Sequence, residues 1–311
     1  MLGVSIVLVS AGALLGTDAR PPRFQSDIDM VRLNVSVLNA RDRFVDGLVA
    51  EDFVVLENGI RQQVTLFDPK DLPLSLVLLI DMSASMAPHR KAVIRAATRL
   101  IDRLRPQDEA EIVSFSQRLT VLEPRTADHD ALVGALERTH PEGTTALHNA
   151  LYVTLKDLQR EEHGDSLRRR AVVLLSDGED TSSSVTDDQV LELARTAQIG
   201  LYTILMSALP RSEPSAARHL LDALARESGG EAFLLEGAAE LHGVYERIAQ
   251  ELHSQYCLGY VSSQPEVDGR WRQILVLTPQ QSALHVRHRV GYYAGARPRV
   301  SAPVPLSINT P

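Results

Sequence analysis

The sequence predicts an α/β fold, a doubly wound and mostly parallel sheet inserted in a small all-β domain, and three observations predict it. Two short runs, Leu76-Val77-Leu78-Leu79-Ile80 and Ala171-Val172-Val173-Leu174-Leu175, are apolar at every position, as strands covered on both faces are. Amphipathic helical stretches alternate with further apolar runs over residues 74–252. The flanks, 24–70 and 254–294, instead carry strand-like patterns and turn signals with no helical stripe.

Taken in order, residues 28–38 place Ile28, Met30, Leu33, Val35 and Val37 among polar neighbours, the mark of a half-buried strand. Phe53-Val54-Val55-Leu56 and Gln63-Val64-Thr65-Leu66-Phe67 bracket Asn58-Gly59, a strong hairpin signal because both residues tolerate positive φ. The strand at 76–80 is followed by a helix over 91–104, which puts Val93, Ile94, Ala97, Leu100, Ile101 and Leu104 on one face. Strands at 110–115 and 118–122 follow with no helix between them, so one antiparallel edge strand is expected. Helices at 130–136 and 147–158 lead to the strand at 171–175. Then come helix 187–197, strand 201–206, helix 215–227, strand 231–235 and helix 238–252.

The second flank resumes at Tyr256-Cys257-Leu258-Gly259-Tyr260 and continues through 272–277 and 284–290, with Asp268-Gly269 as a further hairpin turn. Two separate sheets of about forty residues each bury little surface, so the flanks are expected to pair with one another. Residues 295–311 carry Pro298, Pro303, Pro305 and Pro311 and read as a disordered tail.

Residues 1–18 read as an export signal: an apolar stretch of signal-core length followed at once by polar, Pro-rich sequence. No Lys or Arg precedes it, and a buried N-terminal strand or a misplaced start codon is the alternative. No other apolar stretch reaches spanning length, so no stable transmembrane segment is expected once the signal is cleaved. The expected location is exported, periplasmic or extracellular. A net charge of −8 over 311 residues offers no electrostatic attraction to nucleic acid. The compact Arg168-Arg169-Arg170 cluster reads as a solvated strand start rather than a phosphate site. Cys257 is the only cysteine, which excludes an internal disulfide and any cysteine-cluster metal site; its apolar strand context makes it a small buried hydrophobe. His285 and His288 are odd-spaced on a strand and read as surface residues. Trp271, Tyr256, Tyr260, Tyr292 and Tyr293 read as aromatics packing within their own sheets.

The chemistry concentrates in three places. Asp81-Met82-Ser83-Ala84-Ser85 sits at the C-terminal end of an apolar strand, where open α/β sheets bind ligands, and offers one carboxylate and two hydroxyls at alternate positions. Asp177, in Ser176-Asp177-Gly178, ends a second strand in the same way. Two unpaired carboxylates in one crevice repel, and a bound cation is the natural means of holding them there. Gly143-Thr144-Thr145 offers a hydroxyl at a helix start. Oxygen donors of this kind suit a hard cation with water in its remaining positions. Glu179 and Asp180 read either as rim residues or as loop charges capping the next helix.

These three segments, in this order, resemble the metal-ion-dependent adhesion site of von Willebrand factor A-type domains, over residues 74–252. The resemblance implies a Rossmann-like fold with a metal held by Asp81, Ser83, Ser85, Thr145 and Asp177; the register Thr-Ala-Leu-x-x-Ala-Leu favours Thr145 over Thr144. It implies Mg²⁺, with Mn²⁺ or Ca²⁺ as alternatives, and an open position taken by an Asp or Glu carboxylate of an unknown partner protein. The implied activity is binding, without catalytic residues. The flanks, through Gly47-Leu48-x-x-Glu51-Asp52-Phe53, Glu57-Asn58-Gly59 and Val290-Gly291-Tyr292-Tyr293, resemble the bacterial exported VWFA-related proteins of Acidobacteria type. Two other readings remain: a metal-dependent phosphoryl-transfer hydrolase with Asp81 as nucleophile, and a structural protein with a vestigial site. Haloacid-dehalogenase-like enzymes carry a second carboxylate where this chain has Ser83 and need a later lysine that this chain does not offer, which weighs against the hydrolase.

Overall fold

Apolar residues spaced by two and by 3.6 sort the chain into strands and helices in the order the sequence predicts. The computed structural model describes residues 30–68, 72–160, 168–206, 215–281 and 283–295. The expected signal segment and the tail from residue 296 lie outside the described residues. The elements run β1 (Met30–Leu38), β2 (Val54–Glu57), β3 (Ile60–Gln62), β4 (Val64–Asp68), β5 (Leu74–Asp81), α1 (Arg90–Asp102), β6 (Glu109–Phe115) and β7 (Leu119–Thr126). They continue as α2 (His129–Glu137), α3 (Leu147–Arg160), β8 (Arg169–Ser176), α4 (Asp187–Thr196), β9 (Gly200–Met206), α5 (Ala216–Ser228), β10 (Ala232–Leu235) and α6 (Leu241–Ser254). Last come β11 (Tyr256–Val261), β12 (Trp271–Leu277), β13 (His285–Arg287) and β14 (Gly291–Tyr293). None of the helices among the described residues is long and apolar enough to cross a membrane.

The central sheet has the order β10-β9-β8-β5-β6-β7. All its pairings are parallel except β6 with β7, the expected antiparallel edge. Because β5 is apolar throughout, it serves two cores at once. Leu74, Leu76, Leu78 and Ile80 pack with α1, α2 and α6 on one face, and Val77 and Leu79 with α3, α4 and α5 on the other. Each fully buried leucine contributes roughly 1.5–3 kcal/mol relative to an exposed one. The chain crosses from β5 to β6 on one side and to β8 on the other, so the C-terminal ends of these strands open onto the crevice where such sheets bind ligands.

The flanks share strands, in two sheets rather than one. β1 and β4, from before the α/β unit, both pair with β11 from after it, and β2 pairs with β12. Their side chains meet in one core that includes Leu33, Val35, Phe53, Tyr256, Leu258, Tyr260 and Ile274. Asn58 and Gly59 turn β2 into β3 with φ of 49° and 81°, as the hairpin signal requires. Asp268-Gly269 does not make the expected hairpin: β11 and β12 belong to different sheets, and the Gly269 amide instead donates to Ala294 O at 3.0 Å. Of the strand expected over 284–290 only β13 forms, and β14 follows at 291–293 in a different sheet. His288 lies between the two and is half-buried rather than on the surface. Its Nε2 accepts from the Val276 amide at 3.0 Å and its Nδ1 lies 2.7 Å from the Arg289 carbonyl. Burial outweighs that last contact and holds the imidazole pKa below its usual range. Glu57, fully buried, accepts from the hydroxyls of Tyr260 (2.8 Å), Tyr292 (2.9 Å) and Ser262 (2.6 Å). Cys257 is buried, as expected.

The arginine cluster is not a solvated strand start. Arg169 is 3% exposed and donates to the carbonyls of Leu72, where the chain enters the α/β unit, and Gln255, where it leaves. Arg168 donates to the carbonyls of Leu74 and Gln107 and pairs with Glu109, and Arg170 donates to Leu158 O.

Candidate metal centre

Strand register brings the two carboxylates to one crevice. β5 and β8 are parallel neighbours paired through Ile80 and Leu175, so Asp81 ends its strand beside the end of β8, and Asp177 follows directly. Asp81 is 0% exposed. Its Oδ1 accepts from the Ser83 amide at 2.9 Å and its Oδ2 from the Ser176 hydroxyl at 2.7 Å. Burial pushes its pKa up, against the pull of those hydrogen bonds, and the charge of nearby Asp177 adds to the rise. Among the described residues no Lys, Arg or His forms an ion pair with either carboxylate.

The loop after β5 is held by backbone contacts on both sides. The Met82 amide donates to Phe115 O at 2.7 Å, the Glu142 amide to Met82 O at 2.8 Å, and the Ala84 amide to Gly143 O at 3.1 Å. Ser83 is buried and Ser85 exposed, and their hydroxyl oxygens lie 3.0 Å apart. The structure therefore links Asp81 to Ser83 through the Ser83 amide, and Ser83 to Ser85 through their hydroxyls. Asp177 is half-buried, and its Oδ1 accepts from the Glu179 amide at 3.1 Å. Gly178 turns the chain there at φ +81°, and a methyl group in its place would meet Leu205 Cδ1 at 2.5 Å and Ala217 Cβ at 2.9 Å.

The two threonines differ in setting. Thr144 is exposed, with its hydroxyl donating to Ser182 Oγ at 3.2 Å; Thr145 is buried at the start of α3. The Thr145 carbonyl accepts from the amides of Thr181 (2.9 Å) and Ser182 (3.0 Å), and its amide donates to Thr181 Oγ1 at 3.1 Å. Ser176, whose hydroxyl bonds Asp81 and also accepts from the Gly178 amide at 2.9 Å, has no signal in the sequence beyond its place in a Ser-Asp-Gly turn. Asp180 does not cap α4 as its sequence position suggests: its Oδ2 accepts from the His148 amide, capping α3, and α4 is capped by Thr186.

Among the described residues no group of three or more His, Cys, Asp or Glu side chains is placed to hold a metal ion. The donor set here is of another kind, two carboxylates and several hydroxyls. All-oxygen donors with few charges fit Mg²⁺ or a similar hard cation and do not fit zinc.

The family model described as the von Willebrand factor type A domain matches residues 76–179, from β5 to just past Asp177. This chain carries a von Willebrand factor type A domain. An uncharacterized protein of Synechocystis is 26% identical to it over 184 residues, covering 58% of this chain and 42% of that protein. A UPF0353 protein of Mycolicibacterium paratuberculosis is 28% identical over 230 residues, covering 65% of this chain and 66% of the relative. The chain thus matches less than two thirds of either relative's length. Among solved structures, a von Willebrand factor type A protein from Catenulispora acidiphila superposes with a TM-score of 0.51 at 17% identity, covering 87% of this chain and 64% of that one. That likeness extends over most of the described chain and concerns the fold.

Proposed function

We propose that this chain is a divalent-cation-dependent protein-binding module, with Asp81, Ser83, Ser85, Thr145 and Asp177 holding the cation. The observation that carries the reading is Asp81: a fully buried carboxylate, hydrogen-bonded only by neutral donors, beside a second carboxylate and without a cationic partner among the described residues. Such a charge is costly to bury unless a positive charge joins it. The contrast between buried Thr145 and exposed, hydrogen-bonded Thr144 supports Thr145 as the threonine ligand. When bound, Mg²⁺ supplies a position that a carboxylate oxygen of a partner protein can fill. The chain's own residues do the rest. Asp81 and Asp177 provide the charge, Ser83 and Ser85 provide neutral oxygens, and the backbone contacts of Met82, Ala84 and Glu142 keep the loop in place. A protein partner is in keeping with the von Willebrand factor type A assignment, and an exported location with the apolar segment at residues 1–18.

A phosphoryl-transfer role for Asp81 is weakened by its neighbours in sequence, since the second carboxylate that such hydrolases carry two residues on is Ser83 in this chain.

Titration calorimetry tests the reading. Mg²⁺ or Mn²⁺ is expected to bind the wild-type chain at one site, and Asp81→Ala to abolish binding while the far-UV circular dichroism stays unchanged. Equal affinity in the variant would remove Asp81 from the site.

A further inference from the structure

The loop that follows Asp177 is fastened to the Thr145 backbone through Thr181 and Ser182 and to the first turn of the helix that follows, where the side chains of His148 and Asp180 add a second point of attachment. His148 lies three residues after Thr145, and Asp180 three residues after Asp177. The Asp180 side chain is 12% exposed and that of His148 16%. Asp180 Oδ2 accepts from the His148 amide at 3.1 Å and lies 3.0 Å from His148 Nδ1, while Oδ1 gathers its own loop by accepting from the amides of Ser183 (3.0 Å) and Ser182 (3.3 Å). His148 Nδ1 also faces Val185 O and Asp187 Oδ1, both at 3.3 Å. Three acceptors around one ring nitrogen require a donor there, which places a proton on Nδ1. Next to it, Asn149 completes the join: its amide donates to Ser183 Oγ at 3.1 Å, and its Oδ1 accepts from the amides of Ser184 (3.1 Å) and Val185 (3.0 Å).

We infer that His148 and Asp180 form a positioning latch that sets the spacing of Thr145 relative to Asp177, and through it the affinity of the cation site. The inference rests on the reading of Thr145 and Asp177 as ligands. Its physical basis is that the two ligands lie on separate segments, the loop after β8 and the start of α3, which no strand pairing connects. A helix start has amides without intrahelical partners, and Asp180 and Ser183 supply acceptors for two of them from another part of the chain. Removing the latch leaves both ligands present on segments joined by the Thr145 backbone bonds and Asn149 alone, and groups that orient metal ligands in this way change affinity by about 10–100-fold when lost.

The test compares His148→Leu, which removes the donor, with His148→Asn, whose side-chain amide places an N–H near the position of Nδ1, and with Asp180→Ala. Mg²⁺ titration of the full chain is expected to show an affinity loss of about tenfold for His148→Leu, at least as large for Asp180→Ala, and within about threefold of wild type for His148→Asn. Amide hydrogen exchange, measured without metal, is expected to accelerate at residues 181–185 in the first two variants and not in His148→Asn, with β5 protected throughout. Unchanged exchange at 181–185 in both His148→Leu and Asp180→Ala overturns the latch, whatever the metal titration gives. Wild-type protein that takes up no Mg²⁺ overturns the metal reading instead, and the metal-free exchange keeps the two failures apart. Should Asp180→Ala lose protection in β5 as well, His148→Leu alone decides.

Discussion

Gly178, beside the candidate centre, leaves no room for a side chain, since its φ of +81° is one that glycine alone takes easily and an added methyl group would meet Leu205 and Ala217. Replacing it with alanine forces a left-handed conformation on an L side chain and a clash together. Gly178→Ala is expected to lower stability by about 1–3 kcal/mol, read as a shift of the urea midpoint with an unchanged slope. At this scale the sequence was most informative where chemistry repeats along a strand end. Asp81, Ser83 and Ser85 announce themselves by spacing, because alternate positions at the end of a strand turn to one side. Ser176 and the Asp180–His148 contact were not legible. Each depends on which strands and loops lie side by side, and no spacing within one segment encodes that.

Elements were legible where burial is complete and ambiguous where two segments share one surface. β5 and β8 are apolar at successive positions over 76–80 and 171–175 because helices cover both faces. The arginines at the start of β8 looked like a solvated charge run because charge is visible in a sequence and a convergence of chain crossings is not. In the fold, Arg169 sits where the α/β unit is both entered and left, and it donates to the carbonyls of Leu72 and Gln255. Burial holds its pKa below the usual arginine value, in keeping with a guanidinium used for hydrogen bonding in a dry place. Arg169→Met keeps the length of the side chain and removes the donors. It is expected to cost about 2–4 kcal/mol, from carbonyls left unpaired, and to bring limited proteolysis next to Leu72 and Pro73 earlier than in the wild type. Proteolysis at wild-type rates with unchanged stability would show that the crossings hold without it.

Across the whole molecule the flanking sheets and the α/β unit meet again at His288, and pH is expected to act there. The residue is fastened to β12 through Val276 and sits against the end of α5, where a methyl group on Gly229 would meet the His288 carbonyl carbon at 2.6 Å. Nε2 accepts a hydrogen bond, so the folded chain needs the neutral ring, and burial keeps it neutral to a lower pH than the ordinary value of 6.5. The unfolded chain takes up that proton first. His288 therefore favours the fold fully above pH 6.5, and its contribution is lost as pH falls from there through the folded pKa, with a slope of at most about 1.4 kcal/mol per pH unit. Asp108 acts in a lower range. Hydrogen bonds from His253 and from the amides of Leu74 and Arg105 hold its carboxyl below the ordinary 3.8, despite its burial, so its contribution disappears only as pH falls below that value. The two ranges separate the residues in one experiment. Thermal melts of wild type and His288→Gln between pH 7.5 and pH 5 are expected to diverge in slope, the variant losing less stability per pH unit because glutamine does not titrate there. All other carboxylates and histidines are common to both chains and cancel in the difference. Parallel slopes would mean that protonated His288 is accommodated at the junction, and that acid acts on the fold elsewhere.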